Sequence, residues 1–545
     1  MHSFRTFPLW VALAAALPAQ VQTGSWTGLN AGDQFGSTIV PYRDVDGDGT
    51  VDLLVGSPTW DYGPQSNAGR VDLRSGRSGG ILRSHHGTNG NDWFGSSIAV
   101  IGDANHDGVE DYAIGVPGAD NGGSDCGSVV AFSGASGAQL WRRDGQQDYA
   151  YRGSSLARIM DYDGDGVVDC AVGAPTDGNQ IQWNASAVFL LSGASGFILR
   201  SFYAATCEEE YGAAVALVGD LDNDGYEELA IGAPGSYLDG GKVDIRSLHT
   251  GNSLFVIEDP TGSSRLGSVI TALGDLDGDG RPDFAVGADR GYNPYVRIVL
   301  GGVMTRMHTG SQLSRFGLGL ANLGDLDLDG FPDYAIGAPL GGANASGTVQ
   351  VFSGRTGALR TTISAGGANA WFGRTIQAVG DRNGDGFAEF AVGMPVQGNG
   401  EVRFHSLSVP AADSTFGSGC GLTSVEPQLR LQSGGAIGTN LLVRYNTGNL
   451  ANGLGVMLVG WSNSTHNGAP LPLALGSFGL PGCQLLVSPA ANLVVAQTNP
   501  IGYVSLGTPQ GSAMLGLSLY CQYALFQPNT IAFTSGLGVR FGTPF

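Results

Sequence analysis

Seven short stretches of this chain place oxygen-bearing side chains at alternate positions around a glycine. The first offers Asp44, Asp46, Asp48 and Asp52, and the second Asp103, Asn105, Asp107 and Asp111. The third offers Asp161, Asp163, Asp165 and Asp169, and the fourth Asp220, Asp222, Asp224 and Glu228. The fifth and sixth are all-aspartate sets: Asp275, Asp277, Asp279 and Asp283, then Asp325, Asp327, Asp329 and Asp333. The seventh holds Asp381, Asn383, Asp385 and Glu389. These are positions 1, 3, 5 and 9 of one loop pattern. Calcium takes six to eight oxygen ligands, and such a loop supplies them from side chains plus the carbonyl of position 7. Glycine at position 6, from Gly49 to Gly386, permits the sharp turn. The expected chemistry is the binding of up to seven Ca2+ in a structural role. Copies two and seven carry Asn at position 3 and are expected to bind more weakly.

Two alternatives fit poorly. An EF-hand needs Glu at position 12 and flanking helices. Position 12 here is Val55, Ile114, Val172, Ile231, Val286, Ile336 or Val392, always apolar and β-branched. Plain Asp-Gly turns have no need of oxygens at alternate positions seven times over. Charge points the same way. The ligand positions hold four acids in each of five copies and three in each of two, or 26 of the 48 in the chain. Seven dications would bring the net charge from −21 to −7. Without them, carboxylates crowded into one turn repel each other.

The elements that position these loops recur with them. Loop starts are 59, 58, 59, 55, 50 and 56 residues apart. Each is preceded by an aromatic-Gly or related pair: Phe35-Gly36, Phe94-Gly95, Arg152-Gly153, Tyr211-Gly212, Leu266-Gly267, Phe316-Gly317 and Phe372-Gly373. A short strand leads into the loop, and a second strand with a Gly-Ala-Pro-like end leads out. After a variable loop comes a third strand, a Ser-Gly-x-x-Gly turn and a fourth strand. Four short strands per unit, repeated seven times, make a propeller. The phase is informative. A lone fourth-strand equivalent, Val21 to Trp26, opens the series, and the seventh copy stops at its third strand, Val402 to His405. The first strand is expected to complete the last blade, removing exposed sheet edges.

The Phe-Gly and Gly-Ala-Pro pairs around an acidic loop resemble the FG-GAP repeat of integrin α-subunit propellers and many bacterial surface proteins. The resemblance covers roughly residues 20 to 410. It implies an all-β, seven-bladed β-propeller with calcium in hairpin loops on one face. It also implies a role in adhesion or recognition.

The remaining residues bound the function classes. The acidic balance argues against nucleic-acid binding. Arg5, the apolar stretch Phe7 to Leu17 and Pro18-Ala19-Gln20 read as an export signal over residues 1–19. No later segment has the length of a membrane span. The chain is therefore expected to be secreted, extracellular or at the cell surface, with an extracellular protein or glycan as partner. There is no zincin motif, P-loop or nucleophile elbow, so no catalytic residue is assigned and no enzyme is expected. His85-His86 is expected to be a surface pair.

The loops opposite the acidic face carry Trp60, Tyr62, Trp93, Tyr149, Tyr151, Trp183, Tyr237, Tyr292, Tyr295 and Trp371. Such rings anchor protein interfaces and stack on sugars, or simply pack locally. A carbohydrate-binding or carbohydrate-cleaving propeller using that face is the alternative reading. From 416 to 545 only four residues are charged: Glu426, Arg430, Arg444 and Arg540. Alternating apolar runs there suggest a small β-sandwich domain of roughly eight strands that anchors, sorts or caps. Of the six cysteines, Cys420 and Cys483 are the favoured disulfide. Cys170 and Cys521 are expected to be buried thiols, and a Cys126–Cys207 pair is left open.

Overall fold

The computed structural model describes residues 21–407 except 176–185, 205–209, 236–239, 260–261, 263, 327–328, 368–369, 384–387 and 397. Side chains at 21 and 303–305 are also outside the description, and from Ala412 to Arg540 it covers the backbone of the strands.

Seven four-stranded antiparallel sheets form the propeller. The first blade consists of Thr38–Tyr42, Asp52–Ser57, Arg70–Arg74 and Ile81–His86. The same order repeats through the sixth blade, which ends at Leu359–Ser364. The seventh has Thr375–Gly380, Glu389–Met394 and Glu401–Ser406 from the end of the repeat series. Its fourth strand is Val21–Thr27, paired from Val21 opposite Ser406 to Thr27 opposite Glu401. The ring closes as its phase requires.

First strands of neighbouring blades touch one another all the way round, so they line the axis. The second strands lie between blades and are buried on both sides. All six residues of Asp52–Ser57 are buried, as are those of Glu389–Met394. This explains their unbroken apolar runs, since no face is left for polar residues. Seven apolar clusters follow, one at each blade-to-blade interface. At the closure Trp26, Phe35, Leu53, Val402 and Phe404 pack together.

The two glycines of the repeat meet across every interface. Each glycine of the Phe-Gly pair has φ between 87° and 93°, a region costly for other residues. Its carbonyl faces the bare Cα of the Gly-Ala-Pro glycine on the preceding blade. A Cβ on Gly337 would lie 1.9 Å from the Gly373 carbonyl, and one on Gly393 would lie 2.2 Å from that of Gly36. Backbone cannot yield there without separating the blades. Gly337→Ala is expected to cost about 1–3 kcal/mol or more. A fall in the urea midpoint checks it, and an unchanged midpoint would show that the blades have slack.

Arginines staple the outer rim. Arg83 donates to the Gly134 and Ala135 carbonyls of the next blade's turn, at 2.7 Å each. Arg143 reaches Gly196 at 2.7 Å, and Arg200 reaches Thr250 at 2.7 Å. Arg306 does the same to Gly354 and Arg355.

Two expectations are corrected. Tyr295 lies in the strand Tyr295–Leu300 and is buried rather than in a loop. His85 is not a surface residue, for its Nε2 sits 2.9 Å from the Tyr112 hydroxyl and its ring stacks on Phe132. Only His86 is exposed. Cys126, whose pairing was left open, is a free buried thiol whose Sγ lies 3.3 Å from the Ala119 carbonyl. Cys170 is free and buried as expected. Residues 1–19, Cys207, Cys420, Cys483, Trp183 and Tyr237 lie outside the described residues, as does the side chain of Cys521.

Beyond the propeller, described strands pair into one sheet of six, one of three and two small hairpins. The strand Ala412–Phe416 pairs with Gly536–Arg540.

Candidate metal centres

The acidic loops join first to second strands and share one face of the propeller with the Ser-Gly turns that join third to fourth. In the first loop the Asp44 carboxylate accepts the Gly47 N–H at 2.7 Å and the Gly49 N–H at 2.8 Å. Asp46 accepts from Asp48 N–H at 3.2 Å, and Asp48 from Thr50 N–H at 2.9 Å. These local bonds curl the loop and gather the carboxylates inward. Position 6 is left-handed in all six described copies, with φ from 84° at Gly280 to 91° at Gly330. Position 4 is left-handed too, at Gly47, His106, Gly164, Asn223 and Gly278. Glycine or asparagine in four of those five copies was the signal for it, and His106 adopts the same left-handed geometry.

Four loops bring three carboxylates within 4.8 Å of one another. They are Asp44, Asp46 and Asp48; Asp161, Asp163 and Asp169; Asp220, Asp222 and Glu228; and Asp275, Asp277 and Asp279. Asp52, Asp165, Asp224 and Asp283 sit in the same loops but outside these triads. Copy two keeps Asp103, Asn105, Asp107 and Asp111 in one loop without such a triad. Asp327 and Asp385 lie outside the described residues. Their neighbours Asp325, Asp329, Asp333, Asp381, Asn383 and Glu389 are described and occupy equivalent positions.

Position 9 has a second task that spacing alone did not show. Asp52 is fully buried and accepts the Val45 N–H at 2.7 Å and the Gly76 N–H at 2.9 Å. It thus ties the loop to its blade's own Ser-Gly turn. Asp111 does so through Ala104 and Gly134, and Asp169 through Tyr162 and Gly193. Asp283 and Asp333 repeat the arrangement with Gly301 and Gly354. The turn serine adds to it, since the Ser75 hydroxyl lies 3.2 Å from Asp48. Where Leu248 and Leu407 replace the turn glycine, position 9 is Glu instead. Glu389 then accepts from the Asn383 amide at 2.8 Å. In blade four, Glu228 Oε1 is buried with no hydrogen-bond partner among the described residues. A buried carboxylate oxygen left bare is costly. A cation held jointly with Asp220 and Asp222 satisfies it, so the residues fit a metal there.

Burial pushes the acids of position 9 upward, helped by their neighbouring carboxylates. Asp169 and Asp283 rise to about 6 and Glu228 to about 7, with Asp52 and Asp111 raised as well. Each holds its proton more tightly folded than unfolded. Their contribution to the metal-free fold is present below the usual carboxylate range and lost as pH rises through about 6–7. Three histidines, His405 buried and His85 and His308 half-buried, oppose this. His85, His308 and His405 are pushed down to about 4, so they weaken the fold as pH falls below 6.5, with or without metal. The difference between metal-loaded and metal-free protein removes the histidines. The calcium-induced gain in melting temperature is expected to be largest above pH 7 and to shrink between pH 7 and 5.5. Melts at both pH values check it, and equal gains would contradict the assignment.

The opposite face gathers aromatic groups. Tyr62 stacks on His86 at 4.3 Å, and Arg70 lies over Trp60 at 5.3 Å. Trp93 and Tyr151 lie nearly parallel at 6.5 Å. Among the described residues, no helix is long and apolar enough to cross a membrane.

Comparison with known proteins agrees with this geometry. The family model described as FG-GAP repeat matches residues 35–73, 211–245 and 267–299. Integrin alpha-V of Gallus gallus is 29% identical over 213 residues, and integrin alpha-5 of Xenopus laevis 33% over 213. Each match takes in 36% of this chain and 20% of the relative. Integrin alpha-D of Homo sapiens is 35% identical over 166 residues, or 27% of this chain and 14% of the relative. The chain therefore spans a fifth or less of the length of these curated relatives. With a closed ring of seven blades and acidic hairpin loops that could hold metal, the chain carries FG-GAP repeats and is similar over part of its length to integrin alpha subunits.

Proposed function

We propose that this chain is an exported, calcium-stabilised recognition or adhesion module. Calcium occupies the acidic face and fixes the blades, and the opposite loop face meets an extracellular protein or glycan. Gly-rich hairpins holding converged carboxylates carry this reading, above all the unpartnered Glu228 oxygen beside Asp220 and Asp222. All 28 oxygen-bearing residues of the seven loops are proposed as ligands, with Asp52, Asp111, Asp169, Asp283 and Asp333 also serving as loop-to-turn ties. We further propose that residues 1–19 are an export leader and that 416–545 form a β-sandwich domain.

The reading is non-catalytic. A second reading, a carbohydrate-active propeller, draws support from the stacked Tyr62–His86 pair, because Tyr62 is 45% exposed. One experiment separates the two. A glycan and extracellular-protein binding panel is run beside a polysaccharide-cleavage assay on calcium-loaded protein. Saturable binding without released oligosaccharide supports recognition. Oligosaccharide release would overturn it.

A further inference from the structure

The residue before each Phe-Gly pair stands at the loop-face end of an axis-lining strand. In all seven blades it is a non-glycine residue with φ between 49° and 59°: Gln34, Trp93, Tyr151, Glu210, Arg265, Arg315 and Trp371. Bulky side chains in this region are uncommon, and seven in register around one axis call for a reason. Most find a partner across a blade boundary. Trp93 meets Tyr151, and Arg265 forms two hydrogen bonds with Glu210, at 3.0 and 2.6 Å.

The boundary between the sixth and seventh blades differs. The residue after each Phe-Gly pair is Ser37, Ser96, Ser154, Ala213, Ser268 or Leu318 in blades one to six, but Arg374 in the seventh. Its guanidinium lies 5.9 Å from the Trp371 ring and makes no hydrogen bond to any described residue. Arg315, which precedes the Phe-Gly pair of the neighbouring sixth blade, repels it electrostatically, and Asp289 attracts it. Asp289 is already in contact with Arg315 at 2.6 Å, without an aligned N–H. One buried carboxylate thus stands against two guanidinium charges, and burial together with the like charge of Arg315 holds Arg374 below its usual range. In a chain of net charge −21 this is a local excess of positive charge beside an aromatic face.

We propose that the axial mouth between the sixth and seventh blades binds a carboxylate of an acidic glycan, clasped by Arg374 and Arg315 with the sugar ring against Trp371. Guanidinium recognises carboxylate through paired N–H donors, and a flat ring beside it suits a pyranose face. This rests on the loop face being the recognition face.

The test titrates calcium-loaded protein with three probes at one buffered free-calcium level. They are uronate oligosaccharides, the same oligosaccharides with carboxyls reduced to hydroxymethyl groups, and an Asp- and Glu-rich peptide. The uronates are expected to bind at least tenfold more tightly than their reduced forms. Arg374→Ser is expected to weaken that binding at least tenfold, with the melting temperature kept, since serine fills this position in four other blades. The comparison of native with reduced sugar needs no variant, so a folding defect in the variant leaves the inference decided. Equal binding of reduced sugar, or full affinity in Arg374→Ser, would overturn the carboxylate clasp while the loop face remains a glycan site. Preference for the peptide would overturn the glycan assignment. No binding of any probe would overturn this inference alone, because the wider panel above tests the recognition face separately.

Discussion

Removing calcium is expected to lower the melting temperature of the propeller by roughly 10–20 °C. A site occupied at tenfold its dissociation constant stabilises the folded state by about 1.4 kcal/mol, through RT ln(1 + [L]/Kd). Seven such sites together contribute at most about 10 kcal/mol, comparable with the whole stability of many domains, and the weaker copies two and seven contribute less than their share. Extracellular calcium modules bind at about 10⁻⁴ to 10⁻³ M, so a few millimolar calcium reaches that occupancy at the tighter sites. The mechanism lies in the loops. Asp44, Asp46 and Asp48 converge within 4.8 Å, and without a dication their charges repel. Each loop is also tied to its blade's outer turn through position 9, as Asp52 is to Gly76 at 2.9 Å. Loss of metal is therefore felt across the blade rather than in one hairpin. Scanning calorimetry with and without EDTA checks this, and superimposable melts would refute it.

Deleting Val21–Thr27 is expected to open the ring. The deletion removes the outer strand of the seventh blade and bares the backbone of Glu401–Ser406 as a pairing edge. It also removes Trp26, which is buried against Phe404 at a centroid distance of 4.6 Å. Trp26→Ala alone is expected to cost about 3–5 kcal/mol. The deleted chain is expected to elute as dimers and aggregates, and a synthetic peptide of residues 20–28 is expected to restore the monomer and its melt. Size-exclusion chromatography with and without the peptide measures this. A monomeric deletion variant with an unaltered melt would show that closure contributes little.

Residues close together in sequence were the legible ones. The calcium loops could be read because positions 1 to 9 form one turn, and their oxygens converge by local geometry. Seven-fold closure could be read from phase, because Val21 to Trp26 has no partner unless Glu401–Ser406 supplies it. Features that depend on a neighbouring blade were not legible. Gly337 and Gly373 are far apart in the chain, yet their contact explains why both must be glycine. The arginine staples at Arg83, Arg143, Arg200 and Arg306 aim at turns roughly fifty residues downstream. His85 looked like half of a surface pair because strand alternation does not reveal that Tyr112 of the next blade closes over it. Position 9 was read as a ligand alone, since its bonds to the Ser-Gly turn span more than twenty residues.

The opposite face shows the same division. Its aromatics were visible as a composition, but not the pairing of Trp93 with Tyr151 across a blade boundary. Nor was Arg374 visible, which stands out only once seven equivalent positions are laid around one axis.

Calorimetric titration of metal-stripped protein with CaCl2 at pH 7.5 tests most directly whether dications hold the acidic face together. Saturable heat extending beyond four equivalents of calcium is predicted. A flat titration, or saturation at a single equivalent, would contradict it.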